Sequence, residues 1–448
     1  MPTSPQIETG VSEALPNGYS KLTPGPGMVP SDVAAHQRAR IYRAMIAIVA
    51  DYGYSAVKVR EVVKLAGVST RTFYENFSGK EDCFLRTYDL IARRAGRRLI
   101  ASQADEHDWR ERPRLVFAAF ARELESDPAA ARLALIEARL AGLEALERVR
   151  QVKSTFAAML VESFSRPPDG VRVPPLIVEG MMEGVAHLAR LRLAAGKQTE
   201  MCSLEKEILT WALCYLGKPA TDLEALDRGS VWRNTMLEPL VMPQRMSGVE
   251  PWPPAGDRAL ILSSVAALIA TGGYNKLTVS RIRSHAGVSR ATFNDHFDGV
   301  EDCFEAALEQ STTEMVAQVA RAQAAGSTAT GGIYRGIAAL CEFVASDALL
   351  ARACFYDDFV PKSSGALSRQ RTLKAVNEPF IYAGPAGQGP NRVVAEAITG
   401  ATEALFQSHI VRNWAQRRQI AASLAYLVLA PVVGAEEATA AIRGEQKS

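Results

Sequence analysis

Residues 57–84 and 277–304 align at a constant offset of 220 with no gap, and 13 of their 28 positions are identical. The identities are Val59, Ala66, Gly67, Val68, Ser69, Thr72, Phe73, Phe77, Gly79, Glu81, Asp82, Cys83 and Phe84 with their partners. The segment before each passage agrees in its apolar face. Ile41, Met45, Ile48 and Val49 answer to Ile261, Val265, Leu268 and Ile269, the i, i+4, i+7, i+8 stripe of a half-buried helix. A repeat on this scale joins two similar domain sets and not the short units of a solenoid. The length of 448 residues suits two to four cores.

The rest of the chain is built of long Ala/Leu/Glu/Arg segments, as in 114–163, 175–196, 203–217, 333–356 and 391–433. Period-two alternation is nearly absent, so the expected fold class is all-α. Pro/Gly punctuation in "KPATD", "MPQRMSG" and "EPWPPAG" marks 218–256 as a linker, and the Pro/Gly/Ser/Thr-rich residues 1–30 read as a mobile tail.

Within "KVREVVKLAGVSTRTFYENF", Val59, Val62, Val63 and Ala66 make one apolar face of a two-turn helix. Gly67 supplies the positive φ that ends it, and Ser69 is a good N-cap for the next helix. Phe73 and Phe77, at i and i+4, bury that second helix against the first. Arg71, Tyr74 and Glu75 are left pointing outward, with Thr70 and Thr72 on the flanks. Two short helices crossing through such a turn make a helix-turn-helix, whose second helix fits a major groove. Arg71 suits a bidentate bond to guanine; Thr70, Thr72 and the Tyr74 hydroxyl suit phosphates or a thymine methyl. Lys80, opening the following helix, suits a phosphate. The bland counterpart is a plain αα-hairpin with solvated polar residues.

The passage "VREVVKLAGVSTRTFYENFSGKEDCF" resembles the TetR family of bacterial transcriptional repressors, whose pattern is V-x-x-I-A-x-x-A-G-V-S-x-x-T-x-Y-x-x-F-x-x-K-E-x-L. Val59, Val62, Ala66, Gly67, Val68, Ser69, Thr72, Phe73, Tyr74, Phe77, Lys80 and Glu81 fall in register. The resemblance covers about 50 residues at the start of each half. It implies, for each half, a three-helix DNA-binding domain followed by a helical regulatory domain that binds a small molecule and dimerises through its last two helices. The expected division is a tail at 1–30, a first helix-turn-helix domain at 31–90 and its regulatory domain at 91–217. The linker at 218–256 follows, then a second, degenerate helix-turn-helix domain at 257–310 and its regulatory domain at 311–448. The candidate DNA-contacting residues are Arg38, Lys58, Ser69, Thr70, Arg71, Thr72, Tyr74 and Lys80 in the first half, and Thr278, Arg290 and Thr292 in the second. Arg40 and Arg43 stand beside Arg38 as further candidates for backbone contacts.

The second copy departs from the first. Lys80 becomes Val300, Tyr74 becomes Asn294 and Arg71 becomes Ala291, while Arg290 replaces Thr70 and Arg283 replaces Val63, a change expected to disturb packing. Residues 36–100 hold 13 Lys/Arg and 6 Asp/Glu, net +7; residues 256–320 hold 5 and 8, net −3. Phosphate neutralisation supplies most DNA affinity, so the first motif is expected to carry the binding, with a local basic face from Arg281, Arg283 and Arg290 kept open for the second. Arg93, Arg94, Arg97 and Arg98 read as a solvated helix face.

The segments 175–217 and 391–433 are the expected dimerising helix pairs. Two units on one chain allow either an intramolecular pseudo-dimer or a homodimer, and a linker of about 35 to 40 residues is long enough for the former. Phe156, Met159, Met182, Trp211, Tyr215, Phe343, Phe355, Tyr356 and Phe406 are candidates for an apolar effector pocket, against a reading as ordinary core. His187 and His409 read as structural histidines. No G-x-x-x-x-G-K-[ST], G-x-S-x-G or H-E-x-x-H is present, "AGPAGQGPNR" reads as a loop, and no metal-ligand spacing occurs, so neither catalysis nor a cofactor is expected. Six cysteines without a C-x-x-C point to a reducing compartment, with Cys83 and Cys303 as small buried residues. No secretory signal or membrane span is seen; the longest apolar run, 425–435, is far too short. A cytoplasmic regulator binding double-stranded DNA is the leading expectation. The alternative is a protein–protein module on a scaffold that has lost DNA binding.

Overall fold

The structure, a computed structural model, describes residues 30–108, 111–164, 173–215, 256–272, 274–347, 349, 392–406, 408 and 420–447. The tail, most of the linker, and Phe355, Tyr356, His409 and the Gly-rich segment 383–391 lie outside them. Among the described residues the fold is all-α, with no strand. The first half runs α1 (Pro30–Tyr52), α2 (Val59–Ala66), α3 (Thr70–Asn76), α4 (Lys80–Ser102), α5 (Glu111–Ser126), α6 (Pro128–Leu135), α7 (Leu143–Phe164), α8 (Pro175–Ala194) and α9 (Glu205–Leu213). The second half runs α10 (Asp257–Gly272), α11 (Val279–Ala286), α12 (Arg290–Asn294), α13 (Val300–Ala324), α14 (Ala329–Ser346), α15 (Arg392–Leu405), α16 (Ala421–Val433) and α17 (Ala435–Lys447). The chain divides into two compact units that do not follow the repeat: residues 1–156 with 189–202, and residues 157–188 with 203–448.

In the first unit the stripe foreseen on α1 is buried. Ile41, Met45 and Val49 are fully enclosed against Val62, Phe73, Phe77 and Phe84. The same core also takes in Leu133, Ala138 and Val149, so the helix-turn-helix and the start of the regulatory helices share one interior. Glu137, itself buried, accepts a hydrogen bond from the Tyr54 amide at 3.0 Å, across the turn between α1 and α2. Arg132 stands 3.8 Å from the same carboxylate. Cys83 and Cys303 are enclosed, and burial pushes both thiols up to about 12.

In the second unit, helices from the two halves of the sequence pack together. Gly180 and Gly400, 220 positions apart, mark close approaches of α8 and α15. A Cβ on Gly180 would run into Leu405 and Leu427, one on Gly400 into His187, and one on Gly184 would lie 2.6 Å from both the Ala397 carbonyl oxygen and the Trp211 ring. The Tyr215 hydroxyl accepts from Trp211 Nε1 at 2.7 Å and donates to the Leu427 carbonyl at 2.6 Å. Its ring lies 5.9 Å from that of Tyr426. Segment 203–215 thus packs against 421–433 inside one chain. In the same unit Glu445 on α17 accepts from the Ser327 amide at 2.7 Å and pairs with Arg335.

Of the effector-pocket candidates, Trp211, Tyr215, Phe343 and Phe406 are buried core residues, and Phe156 lies against Gly96. Met159 and Met182 are half-buried. Among the described residues no helix is long and apolar enough to cross a membrane.

Candidate nucleic-acid interface

The two turns are built alike. Gly67 has φ 60° and ψ 38°, and Gly287 has φ 72° and ψ 25°, the left-handed region that a side chain resists. The chain then folds back on the preceding helix: the Val68 amide donates to Val63 O at 3.1 Å and the Val288 amide to Arg283 O at 3.2 Å. Ser69 and Ser289 each cap the next helix, accepting at 3.0 Å from the Thr72 and Thr292 amides. Each also shares a hydrogen bond of 2.8 Å with that threonine's hydroxyl. Phe73, Phe77, Phe293 and Phe297 are all buried. Arg283 sits half-buried on α11, where the first copy has the buried Val63, and the turn keeps its geometry.

Arg71 is wide open, its side chain 89% exposed, with an ion pair of 2.9 Å to Glu75 one turn on. A surface pair of this kind is weak and is readily exchanged for a base or phosphate contact. Tyr74 is 56% exposed, resting edge-on against the Phe73 ring 5.4 Å away. Thr70 and Lys58 are exposed, as are Arg290, Ala291 and Asn294 in the second motif. Ser69, Thr72 and Thr292 are bound up in capping, and Thr278 caps α11 by accepting from the Arg281 amide at 3.2 Å.

Three basic residues sit differently from a simple phosphate contact. Arg40 is buried and donates to the Ala66 carbonyl and, at 2.7 Å, to the Gly67 carbonyl. It fastens the turn to α1, because the last carbonyls of α2 have no intrahelical partner. The second copy has Leu260 in that place. Arg38 is half-buried and reaches Asn76 Oδ1 at 3.5 Å. Lys80 is half-buried, donates to Val57 O at 3.3 Å and lies 4.7 Å from the centre of the Tyr54 ring. The four-arginine face of α4 is partly engaged: Arg94 lies 3.1 Å from Asp127 and 3.6 Å from Glu123, and Arg98 also pairs with Glu123.

This relocates the charge contrast between the copies. Over the motifs alone, residues 36–79 carry seven Lys/Arg and three Asp/Glu, net +4, and residues 256–299 carry five and three, net +2. Most of the difference lies in the helix that follows, where 80–100 is net +3 and 300–320 net −5.

The family described as bacterial regulatory proteins, tetR family, matches the chain twice, over residues 41–87 and 261–307. No curated protein matches. Two solved structures are similar in part. One is the fatty acid degradation regulator FadR from Bacillus halodurans, at 19% identity and a TM-score of 0.35, covering 39% of this chain and 96% of that one. The other is the transcriptional regulator FadR from Bacillus subtilis in complex with stearoyl-CoA, at 18% identity and a TM-score of 0.35, covering 40% and 97%.

Proposed function

Since the chain carries two DNA-binding domains of the tetR type, one per half, we propose that it is a cytoplasmic transcriptional repressor that binds a duplex operator and is released by a small apolar effector. The DNA-binding reading rests above all on one observation: Arg71 and Tyr74 are exposed on a short helix whose opposite side is locked down by Phe73 and Phe77. Repression and effector release follow from the resemblance to tetR-type regulators. In such a device the effector binds better to a state whose reading helices are misplaced for DNA.

The first motif carries most of the affinity. It holds the larger positive charge, and its net +3 flank favours the phosphates where the −5 flank of the second opposes them. The close packing of α8 and α9 on α15 and α16 supports an intramolecular pseudo-dimer over a homodimer. A chain that has kept the scaffold only to bind another protein predicts the opposite result in the same assay.

Retention of the full chain on a non-specific duplex, measured across a salt series, tests the reading. Binding is expected to fall steeply with salt, and Arg71→Ala is expected to weaken it. If the chain is not retained at low salt, or if neither Arg71→Ala nor Lys80→Ala lowers retention, the DNA-binding assignment to the first motif fails.

A further inference from the structure

We infer that the operator is polar: two unlike half-sites in a fixed order, one read by each motif of a single chain. The inference rests on the DNA-binding reading above and goes beyond it in giving the second motif a specificity of its own.

The turn, its serine cap and the two buried phenylalanines are common to both motifs, whereas their outward faces differ. The Ser–Thr hydrogen bonds of the turn repeat to the tenth of an ångström, and both phenylalanines are buried in each motif, their rings 5.4 Å apart in the first and 5.9 Å in the second. The first capping bond of the next helix repeats too: Asp82 accepts from the Ser78 amide at 2.9 Å and Asp302 from the Asp298 amide at 3.0 Å. Of the exposed positions, Thr70 corresponds to Arg290, Arg71 to Ala291, Tyr74 to Asn294 and Glu75 to Asp295. A docking scaffold that still fits a groove therefore presents different donors and acceptors to the bases.

The chemistry of those donors gives each half-site a character. Arg290 and Asn294 are i and i+4 on α12, both exposed, and so project together from one face. Arginine pairs bidentately with guanine and asparagine with adenine, so this face is matched to a G and an A about one helical turn of side chains apart. The first motif offers Arg71 for guanine one residue further along its helix. It has the bulky Tyr74 where the second has an amide, and its Glu75 suits the amino group of cytosine. The net +2 over 256–299 is compatible with phosphate contact, because the acidic excess sits in α13 and not in the turn or in α12. Paired copies of one chain would read a palindrome; here the two readers differ and are covalently joined.

The test is selection of bound sequences from random duplexes by the full chain, followed by variants at exposed positions that leave the buried face alone. Two different half-sites recurring in one order are expected. Arg290→Ala and Asn294→Ala, made singly, are each expected to weaken binding to the selected duplex roughly five- to hundredfold and to relax selection in one half alone. Arg71→Ala is expected to relax the other. Exchanging the outward residues, with Arg290→Thr, Ala291→Arg and Asn294→Tyr together, should make the selected site symmetrical. A palindromic site for the unaltered chain overturns the inference and leaves the DNA-binding reading standing. So does a single half-site indifferent to Arg290 and Asn294. Failure to select any sequence, with no retention on DNA, overturns both.

Discussion

Arg40→Ala separates two roles that an arginine near a helix-turn-helix can have. If Arg40 met a phosphate, its loss would lower the salt slope of DNA binding by about 0.9 and leave the fold alone. The geometry assigns it instead to the Ala66 and Gly67 carbonyls, from a side chain only 5% exposed. Its removal leaves two carbonyls at the end of α2 short of donors and opens space in the core. Hydrogen bonds from a charged donor contribute about 1.5–3 kcal/mol each, and the pair shares one guanidinium, so a loss of roughly 2–4 kcal/mol is expected. That loss falls on local opening of the turn. Amide exchange in peptides covering 59–77 should quicken roughly 30- to several-hundredfold, up to the limit set by global unfolding. The second motif, with Leu260 in the matching place, provides the internal control: exchange over 279–297 should not change. The salt slope of the folded protein should also stay where it was. Unchanged exchange over 59–77, together with a slope lower by about one, would refute the assignment.

Three further outcomes are expected. Tyr215→Phe strands the Trp211 Nε1–H and the Leu427 carbonyl inside the second unit, so its urea midpoint should fall by the equivalent of about 2–4 kcal/mol, whereas a change below 0.5 kcal/mol would deny the hydroxyl its bridging role. Glu445 is opposed by desolvation, but the Ser327 hydrogen bonds and Arg335 outweigh it and lower its carboxyl from 4.5 to about 2. Its contribution is therefore complete above pH 4.5 and lost as pH falls toward 2, so helical signal and protease resistance of α17 should decline across that window in the unaltered chain and not in Glu445→Gln. Under native conditions a maleimide should modify exposed Cys202 and spare Cys83 and Cys303, as mass spectrometry of the labelled peptides will show.

The turn was legible because its physics is local. A left-handed glycine, a serine cap and phenylalanines at i and i+4 fix the angle between two short helices within 20 residues, and all of them stand where the sequence puts them. The all-α class followed from the same period. What lay beyond reach depends on partners distant in the chain. Arg40 reads as a surface cation until Ala66 and Gly67 come to it from 26 and 27 residues away. Lys80 reads as a free ammonium until Val57 and Tyr54 close on it. Counting charge over 65 residues located an imbalance correctly but not its place, since net charge carries no record of which arginines face Glu123 and Asp127. Glu137 leaves no trace in the sequence; a lone glutamate in a helical stretch gives no hint that it will anchor the Tyr54 amide. Gly180 and Gly400 did carry a signal, because both share the offset of the repeat and sit among apolar neighbours.

The crossing of α8 over α15 joins segments of one polypeptide, and that changes how such a molecule responds to scarcity. Ordinary two-chain assemblies come apart on dilution, because each subunit must find another. Here the mating surfaces are tethered, and their effective concentration is fixed by the length of chain between them and not by the number of molecules in the cell. Every newly made molecule can close this seam alone, so the seam does not loosen as the protein is diluted.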